Sequence, residues 1–262
     1  MIFRTRFKKE IVCEFLPPSR PSNRVIVLCK GMPGLPRFPQ VLEFWSKKGF
    51  WVFLPRYRGT WESDGEFLKR SPHLDILDTI DGIFKGFSDL WSGKHYTLNA
   101  KRSTLYIFGG SFGGPAAILC SRDPRVTKAV AFAPVIDWTA PSKDEPMDKL
   151  GAFIPKAFGL GYRFSRKNWA RLSRNEFYSP IAEINQRISA SSNLRTSASP
   201  IDGKKLLIFH AKNDRSVPYS YTKKFAAKTG AKLITLRTGG HFGFSKSIEK
   251  RFYKHISKFL RS

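Results

Sequence analysis

Ser111 lies in a glycine-rich segment, residues 109–114, between an apolar run and a run of small residues. The pattern G-x-S-x-G between a strand and a helix is typical of a nucleophile elbow, a sharp turn that exposes the serine hydroxyl. Gly109 and Gly113 lack Cβ atoms, so the backbone can close and neighbouring elements can approach. The N-terminus of the following helix places a positive dipole end where an oxyanion would form. The segment therefore predicts a nucleophilic serine, and a plain glycine-rich turn is the alternative.

Asp214 and His241 each follow one of the last two apolar runs of the chain. A serine hydroxyl is a weak nucleophile at neutral pH and needs a base. Here His241 would take the proton of Ser111, while Asp214 would hold the imidazole tautomer and stabilise the imidazolium. Taken singly, each has an ordinary explanation, a helix-capping aspartate or a loop histidine. Together, in the order Ser, Asp, His, they predict a catalytic triad. His210, at the end of a strand, is predicted to be a core or supporting residue.

An oxyanion hole requires backbone N–H groups close to the nucleophile. Phe112, the residue after the serine, supplies the first one. The second comes from the loop that follows the apolar run 24–29, and we assign it to Met32, because Pro33 has no N–H to donate. The predicted donors are therefore the N–H groups of Phe112 and Met32.

The elements that position these residues alternate between short apolar runs and amphipathic stretches, which is the pattern of a mostly parallel α/β sheet. Strands are predicted at residues 10–17, 24–29, 51–54, 105–108, 126–135, 205–211 and 232–238. Helices are predicted at residues 38–48, 73–91, 115–120, 219–229 and 245–260. We predict a single α/β domain over residues 1–262, with a sheet of eight main strands flanked by helices.

Residues 136–200 interrupt this alternation of strands and helices, because they contain few β-branched runs and many aromatic residues. We interpret them as a helical cap inserted between two strands. The aromatic side chains are candidates for lining an acyl or aryl pocket, and packing within the cap itself is the alternative. They are Trp138, Phe153, Phe158, Tyr162, Phe164, Trp169, Phe177 and Tyr178.

The chain has 262 residues, 41% of them hydrophobic and 25% charged, which excludes a wholly disordered protein. Its formal net charge of +26 would attract polyanions or acidic membranes, and a basic surface without a specific partner is the alternative. The last predicted helix has a basic face that we interpret as solvated, with contact to anionic lipid or nucleic acid as the alternative. That face contains Lys246, Lys250, Lys254, Lys258 and Arg261.

The cysteines, the N-terminal segment and the known binding motifs indicate the compartment of the protein and its need for a metal or cofactor. Three cysteines, Cys13, Cys29 and Cys120, form no CxxC motif, so a disulfide framework is not expected. The N-terminus has no apolar segment of signal-peptide length, and no stretch reaches the length of a membrane span. We therefore expect a cytoplasmic protein. No zinc-ligand, RNP or helix-turn-helix pattern is present, and no metal or organic cofactor is expected.

The sequence resembles the α/β-hydrolase superfamily over residues 10–260. More narrowly, it resembles the prolyl oligopeptidase-like branch, which includes dipeptidyl and acylaminoacyl peptidases and related esterases. Lys30 stands where this branch usually has His or Tyr, and Ala211 stands where Gly is common. The chain has no room for the N-terminal propeller of the large peptidases. The resemblance rests on Tyr57-Arg58-Gly59, Ser63, Gly65, residues 110–114, Ser179-Pro180 and residues 210–218.

These observations predict a serine hydrolase that cleaves a carboxylic ester of a small molecule through an acyl-enzyme on Ser111. The first alternative is a small serine peptidase that acts on short peptides or acyl-peptide amides. The second is a non-catalytic protein that binds a ligand or a polyanion on a hydrolase fold. Fold alone does not decide among them, because this fold hosts many reactions.

Overall fold

The computed structural model describes residues 1–189 and 200–262. Eight strands form one sheet in the order β1-β2-β4-β3-β7-β8-β9-β10. β1 and β4 each pair antiparallel with β2, and the other pairs are parallel. The predicted sheet is thereby confirmed. The strands are β1 (Phe3–Phe7), β2 (Ile11–Leu16), β3 (Arg24–Cys29), β4 (Trp51–Pro55), β7 (Thr104–Gly110), β8 (Val126–Phe132), β9 (Leu206–Ala211) and β10 (Lys232–Leu236), with a separate hairpin of β5 (Phe87–Ser88) and β6 (His95–Tyr96).

Helices cover both faces of this sheet. The helices are α1 (Pro39–Lys47), α2 (His73–Lys85), α3 (Gly113–Cys120), α4 (Met147–Phe158), α5 (Arg166–Ser173), α6 (Pro180–Ser189), α7 (Tyr219–Thr229) and α8 (Lys246–Arg261). On one face Trp45 of α1 and Phe252 of α8 share a core with strand residues such as Phe209. On the other face α2 and α3 form a second core with β3 and β7. The central strands are buried on both faces, as their continuous apolar runs predict.

The first strand, β1, is absent from the predicted elements, although its sequence alternates correctly. Phe3, Thr5 and Phe7 point one way and the two arginines between them point the other. Phe7 and Thr5 are buried, while Arg6 is exposed. The strand is the edge of the sheet and pairs only with β2. Its short length and basic residues are common features of an edge strand.

The prediction of a helix over residues 73–91 is wrong beyond Lys85. Gly86, with φ of 99°, ends α2 because an L side chain rarely adopts that conformation. Phe87 then enters the β5–β6 hairpin and packs its ring against Phe15 and Tyr96. Long-range aromatic packing therefore overrides the helical spacing at this point.

The segment between β8 and β9 contains α4, α5 and α6, in agreement with its predicted helical character. The indole of Trp169 on α5 donates to the carbonyl of Met147, which joins α5 to α4. Residues 190–199 of the predicted cap lie outside the described residues. That the segment acts as a cap stays a prediction.

The described part of the chain contains no helix with the length and apolar character needed to cross a membrane. Its three cysteines are free and buried. On α8 the apolar face packs in the core, and the basic residues Lys250, Lys254, Lys258 and Arg261 are exposed. The side chain of Lys246 is outside the described ones.

Candidate active site

Ser111 follows directly on β7, at the turn into α3. Its φ is 51°, in the left-handed region that residues other than glycine rarely occupy. Its N–H donates to the carbonyl of Phe132 at 2.8 Å, and its carbonyl accepts from Gly114 at 2.9 Å. These bonds hold the strained turn between a strand and a helix, which is the position predicted for it.

The glycines at this turn are required by close backbone contacts. A Cβ atom on Gly109 would lie 2.1 Å from the carbonyl oxygen of Gly113. A Cβ atom on Gly113 would lie 1.9 Å from the carbonyl oxygen of Cys29 on β3. Both positions therefore exclude any side chain, as the sequence argument predicts.

The structure brings the three predicted catalytic residues together in one hydrogen-bonded row. Nε2 of His241 lies 2.9 Å from Oγ of Ser111, and Nδ1 of His241 lies 2.8 Å from Oδ2 of Asp214. A charged carboxylate only accepts, so Nδ1 carries the proton and Nε2 is free to accept from the serine hydroxyl. The Asp214 side chain is fully buried, whereas His241 is partly exposed. This arrangement can activate the hydroxyl of Ser111.

Asp214 accepts hydrogen bonds on both carboxylate oxygens. Oδ1 accepts from the N–H groups of Ser216 at 3.0 Å and Val217 at 2.8 Å. Oδ2 faces His241 and, at 3.1 Å, Nε2 of His210. Burial alone would raise the pKa of Asp214, but the hydrogen bonds from His210 and His241 outweigh burial and hold that pKa well below its usual range. The carboxylate therefore stays charged at neutral pH.

His210 is fully buried at the end of β9, in the supporting position predicted for it. Besides Asp214, its Nε2 lies 3.0 Å from the carbonyl oxygen of Val217. Because both neighbours are acceptors, Nε2 carries a proton. Nδ1, at 2.9 Å from the hydroxyl of Thr222 on α7, then accepts from that hydroxyl in the neutral ring. The ring is thereby fixed in one orientation.

A cavity of about 50 Å³ lies next to Ser111. Met32 and Phe112, the two residues predicted to supply the oxyanion hole, both line it. The loop of Met32 lies against the nucleophile, because a Cβ atom on Gly31 would be 3.3 Å from Cβ of Ser111. The apolar part of the lining also includes Val135, Trp138, Ala140, Met147, Leu150, Val217 and Pro218.

Most of the aromatic residues predicted as candidates for pocket lining lie elsewhere. Among the described residues, Trp138 is the one of that set that lines the Ser111 cavity. Phe153 instead faces solvent, with half of its surface exposed. Tyr162, Trp169 and Tyr178 are buried in the same core as residues of α2 and α3. Their spacing in the sequence does not show which of these aromatic side chains face the core and which face the cavity, so the sequence left this open.

Two tyrosines make contacts at the site that the sequence did not predict. The hydroxyl of Tyr178 donates to the carbonyl of Phe112 at 2.6 Å, and the hydroxyl of Tyr57 donates to the carbonyl of Lys30 at 3.2 Å. Their rings pack against the ring of Phe112 at centroid distances of 5.1 Å and 5.6 Å. Tyr57 begins the noted motif Tyr57-Arg58-Gly59, and Tyr178, one of the aromatic candidates, directly precedes Ser179-Pro180. These positions are the signal that could have found their supporting role.

Lys30 lines a neighbouring cavity and not the one at Ser111. Its Nζ is buried, has no hydrogen-bond partner and lies 4.7 Å from the ring centre of Phe38. Burial, with a smaller contribution from the nearby Arg56 guanidinium, lowers the pKa of Lys30 to about 8. Within residues 1–189 and 200–262, no group of three or more His, Cys, Asp or Glu side chains is placed to hold a metal ion.

Comparison with protein families identifies the relatives of this arrangement. Residues 36–262, which include the elbow, Asp214 and His241, match the prolyl oligopeptidase family of peptidases. The chain belongs to that family. Membership of the prolyl oligopeptidase family makes the chain a serine hydrolase, and it confirms the resemblance seen in the sequence. No curated protein matches the chain significantly.

Solved structures share the fold of this prolyl oligopeptidase family member at low identity. Est1E from Butyrivibrio proteoclasticus, solved with ferulic acid, is 15% identical with a TM-score of 0.60, over 100% of both chains. Alpha/beta hydrolase domain-containing protein 10 from mouse is 14% identical with a TM-score of 0.64, over 100% of this chain and 98% of that chain. Acylaminoacyl peptidase from Pyrococcus horikoshii is 15% identical with a TM-score of 0.61, over 99% of this chain but 41% of the peptidase. These similarities show an α/β-hydrolase fold.

Proposed function

We propose that this serine hydrolase cleaves carboxylic esters of small molecules through an acyl-enzyme on Ser111. The observation that carries the proposal is the unbroken row from Ser111 through His241 to Asp214, placed beside a largely apolar cavity. A non-catalytic binding protein has no need of all three groups in this geometry.

In the acylation step, Oγ of Ser111 attacks the ester carbonyl carbon while Nε2 of His241 takes the hydroxyl proton. The negative charge that develops on the carbonyl oxygen is directed to the N–H groups of Phe112 and Met32. The C–O bond to the alcohol then breaks, and His241 returns the proton to the leaving oxygen. The charged Asp214 stabilises the imidazolium throughout.

In the deacylation step, a water molecule attacks the acyl carbon and gives a proton to His241. The bond to Oγ of Ser111 breaks, the proton returns to that oxygen, and the carboxylic acid leaves. Each half of the cycle restores the neutral imidazole, so no cofactor takes part in the proton balance.

The apolar part of the cavity lining favours an ester with an apolar acyl group, and its polar part consists of Asp137, Ser142, Glu145 and Ser216 beside the nucleophile. Val135, Trp138, Met147 and Leu150 present side chains without hydrogen-bonding capacity, apart from the indole N–H, which donates to the carbonyl of Tyr178. A peptide has N–H and C=O groups on both sides of the scissile bond, and these lose free energy if they are buried without partners. Amide cleavage is the second candidate, because the family and one structural neighbour are named as peptidases.

The decisive experiment is covalent labelling with a fluorophosphonate probe, read by intact mass. We expect a single adduct on the wild-type protein and none on Ser111→Ala. Ser142→Ala, which alters another serine on the same cavity, is the matched control and should label normally. Absence of an adduct on folded wild-type protein would contradict the mechanism and favour a binding role.

Substrate preference is tested with p-nitrophenyl esters from acetate to decanoate and with p-nitroanilides of the matched acyl and acyl-peptide groups. We expect kcat/KM to be higher for the esters and to peak at an acyl length that the cavity accommodates. Higher kcat/KM for acyl-peptide anilides would assign the peptidase function instead.

A further inference from the structure

Three large apolar side chains are exposed on two segments that are distant in the sequence but joined by a hydrogen bond between Gly34 and Tyr162. Leu35 lies in the same loop as Met32 and is 68% exposed, Phe153 lies on α4 and is 51% exposed, and Leu160 lies just after α4 and is 81% exposed. We call these three residues the apolar cap face. Contiguous apolar surface of this kind marks an interaction site more often than isolated residues do.

Hydrogen bonds and ring contacts connect the parts of this face. The Tyr162 hydroxyl accepts from the N–H of Gly34 at 3.0 Å and lies 3.1 Å from the Gly34 carbonyl oxygen, next to Leu35. The Tyr162 ring packs on Phe158 at a centroid distance of 5.7 Å, and Phe153 packs on Phe158 at 6.2 Å. These contacts hold together the two segments that carry the apolar cap face.

The helix α4 presents apolar residues on two sides. Met147 and Leu150 line the Ser111 cavity, and Ile154 is buried. A surface helix of a globular protein normally turns charged residues to solvent on its remaining side. On α4 the exposed residues are Asp148, Lys149, Ala152, Phe153, Pro155, Lys156 and Ala157, and from residue 152 onward Lys156 is the one charged residue among them. This outer side has the character of a helix that enters a lipid interface.

The segments that carry the apolar cap face are rich in basic residues. The segments that carry it, residues 30–38 and 147–167, contain one acidic residue, Asp148. Lysines and arginines next to an apolar surface are attracted to anionic lipid headgroups while the apolar side chains enter the acyl region. The exposed basic residues of these segments are Arg37, Lys149, Lys156, Arg166 and Lys167.

We propose that the apolar cap face docks on an anionic lipid bilayer. Leu35, Phe153 and Leu160 insert below the headgroups, and the exposed lysines and arginines of the same segments contact the lipid phosphates. A nucleic acid would satisfy the charge of +26 but not the exposed apolar side chains, so the lipid surface is the better match. The proposal concerns binding and does not depend on the ester chemistry at Ser111.

The test is co-sedimentation with vesicles of phosphatidylcholine, with and without phosphatidylglycerol. We expect the wild-type protein to bind the anionic vesicles and to bind the neutral ones weakly. The double variant Phe153→Ser/Leu160→Ser should bind anionic vesicles roughly tenfold or more weakly, because two apolar insertions are lost. The control is Leu90→Ser/Trp91→Ser, which removes two side chains exposed elsewhere, at 55% and 63%, and should bind as wild type does.

Two results would overturn the proposal. One is wild-type protein that does not bind the anionic vesicles. The other is a Phe153→Ser/Leu160→Ser variant that binds them as tightly as wild type. That result would show that the protein binds the vesicles by electrostatic attraction alone, as it would bind any polyanion. Equal hydrolysis of p-nitrophenyl acetate by wild type and variant shows that the variant is folded, and a loss of activity at Ser111→Ala with unchanged vesicle binding separates the two functions.

Discussion

Nε2 of His210 lies 3.1 Å from Oδ2 of Asp214, the same oxygen that Nδ1 of His241 contacts at 2.8 Å. One buried histidine thus supports the carboxylate that orients another. Because Thr222 and Val217 fix the His210 ring, the carboxylate cannot rotate away from His241 without breaking buried hydrogen bonds. The position of the acid is therefore determined at the end of β9 and not only by its own loop.

Asp214→Asn should lower kcat for a p-nitrophenyl ester by roughly 10³–10⁴-fold, because an amide cannot hold the His241 tautomer or stabilise the imidazolium. Fluorophosphonate labelling should slow in parallel. Asp144→Asn, at an exposed aspartate paired with Arg215, is the control and should keep its activity. A decrease of less than about tenfold in kcat for Asp214→Asn would contradict a triad.

His210→Phe should lower kcat by roughly 10–100-fold with little change in KM, because Asp214 loses one of the groups that position it. His210 touches no substrate, so the expected effect is on kcat alone. His210→Gln, whose side-chain amide can still donate to Asp214, should recover part of the loss. Raised KM with unchanged kcat, or no recovery in the Gln variant, would show that His210 has only a packing role.

Glu249→Gln should remove a pH dependence of folding stability. The carboxyl of Glu249 is fully buried, accepts from the indole of Trp45 at 2.6 Å and has no partner for its other oxygen. Burial raises the pKa of Glu249 from 4.5 to about 8, although the Trp45 hydrogen bond lowers it. The folded state thus keeps a proton that the unfolded chain releases between these values, so stability falls as pH rises, by up to about 1.4 kcal/mol per pH unit.

Denaturant unfolding from pH 5 to pH 8.5 measures this effect. We expect the stability difference between Glu249→Gln and wild type to grow in favour of the variant as pH rises. Glu43→Gln, at an exposed glutamate on α1, should show no such trend. A difference that stays constant with pH would mean that Glu249 is ionised in the folded protein at neutral pH.

Lys30 should change the folding stability with pH in the direction opposite to that of Glu249, and Lys30→Met should remove this dependence. The pKa of Lys30 falls from 10.5 to about 8 in the folded state, so the unfolded chain binds the extra proton between these values. Wild-type stability should therefore gain from Lys30 as pH rises through this window, and the variant should lack that gain. At pH 7 the variant should be at least as stable as wild type, because a buried ammonium without a hydrogen-bond partner is removed. Denaturant unfolding at pH 7 and pH 10 checks this, and a less stable variant at pH 7 would contradict it.

Gly113→Ala should cost about 2–4 kcal/mol of unfolding free energy or prevent folding, because its Cβ would overlap the carbonyl oxygen of Cys29 on the next strand. Gly243→Ala is the matched control, since nothing lies within 4 Å of a Cβ placed there. Thermal and denaturant unfolding measure the two variants side by side. Equal stability of both would show that the strand and the elbow are less closely packed than described.

The parts of this protein that could be predicted from sequence are those with a local physical cause. The elbow at Ser111 needs Gly109 because of the Gly113 carbonyl four residues away, and Asp214 and His241 follow strands that the apolar runs reveal. The parts that could not be predicted depend on distant partners. Phe87 leaves the helical pattern to join an aromatic cluster, and the exposure of Phe153 follows from the side of α4 that carries the buried Ile154.

The paired contact between the Tyr162 hydroxyl and Gly34 links the outer surface to the reaction centre. Leu160 lies two residues before Tyr162, and Met32 lies two residues before Gly34. The phenol therefore couples the turn of Leu160 to the loop of Met32, which lies beside Ser111. Tyr162→Phe would remove the hydroxyl through which the two segments are coupled.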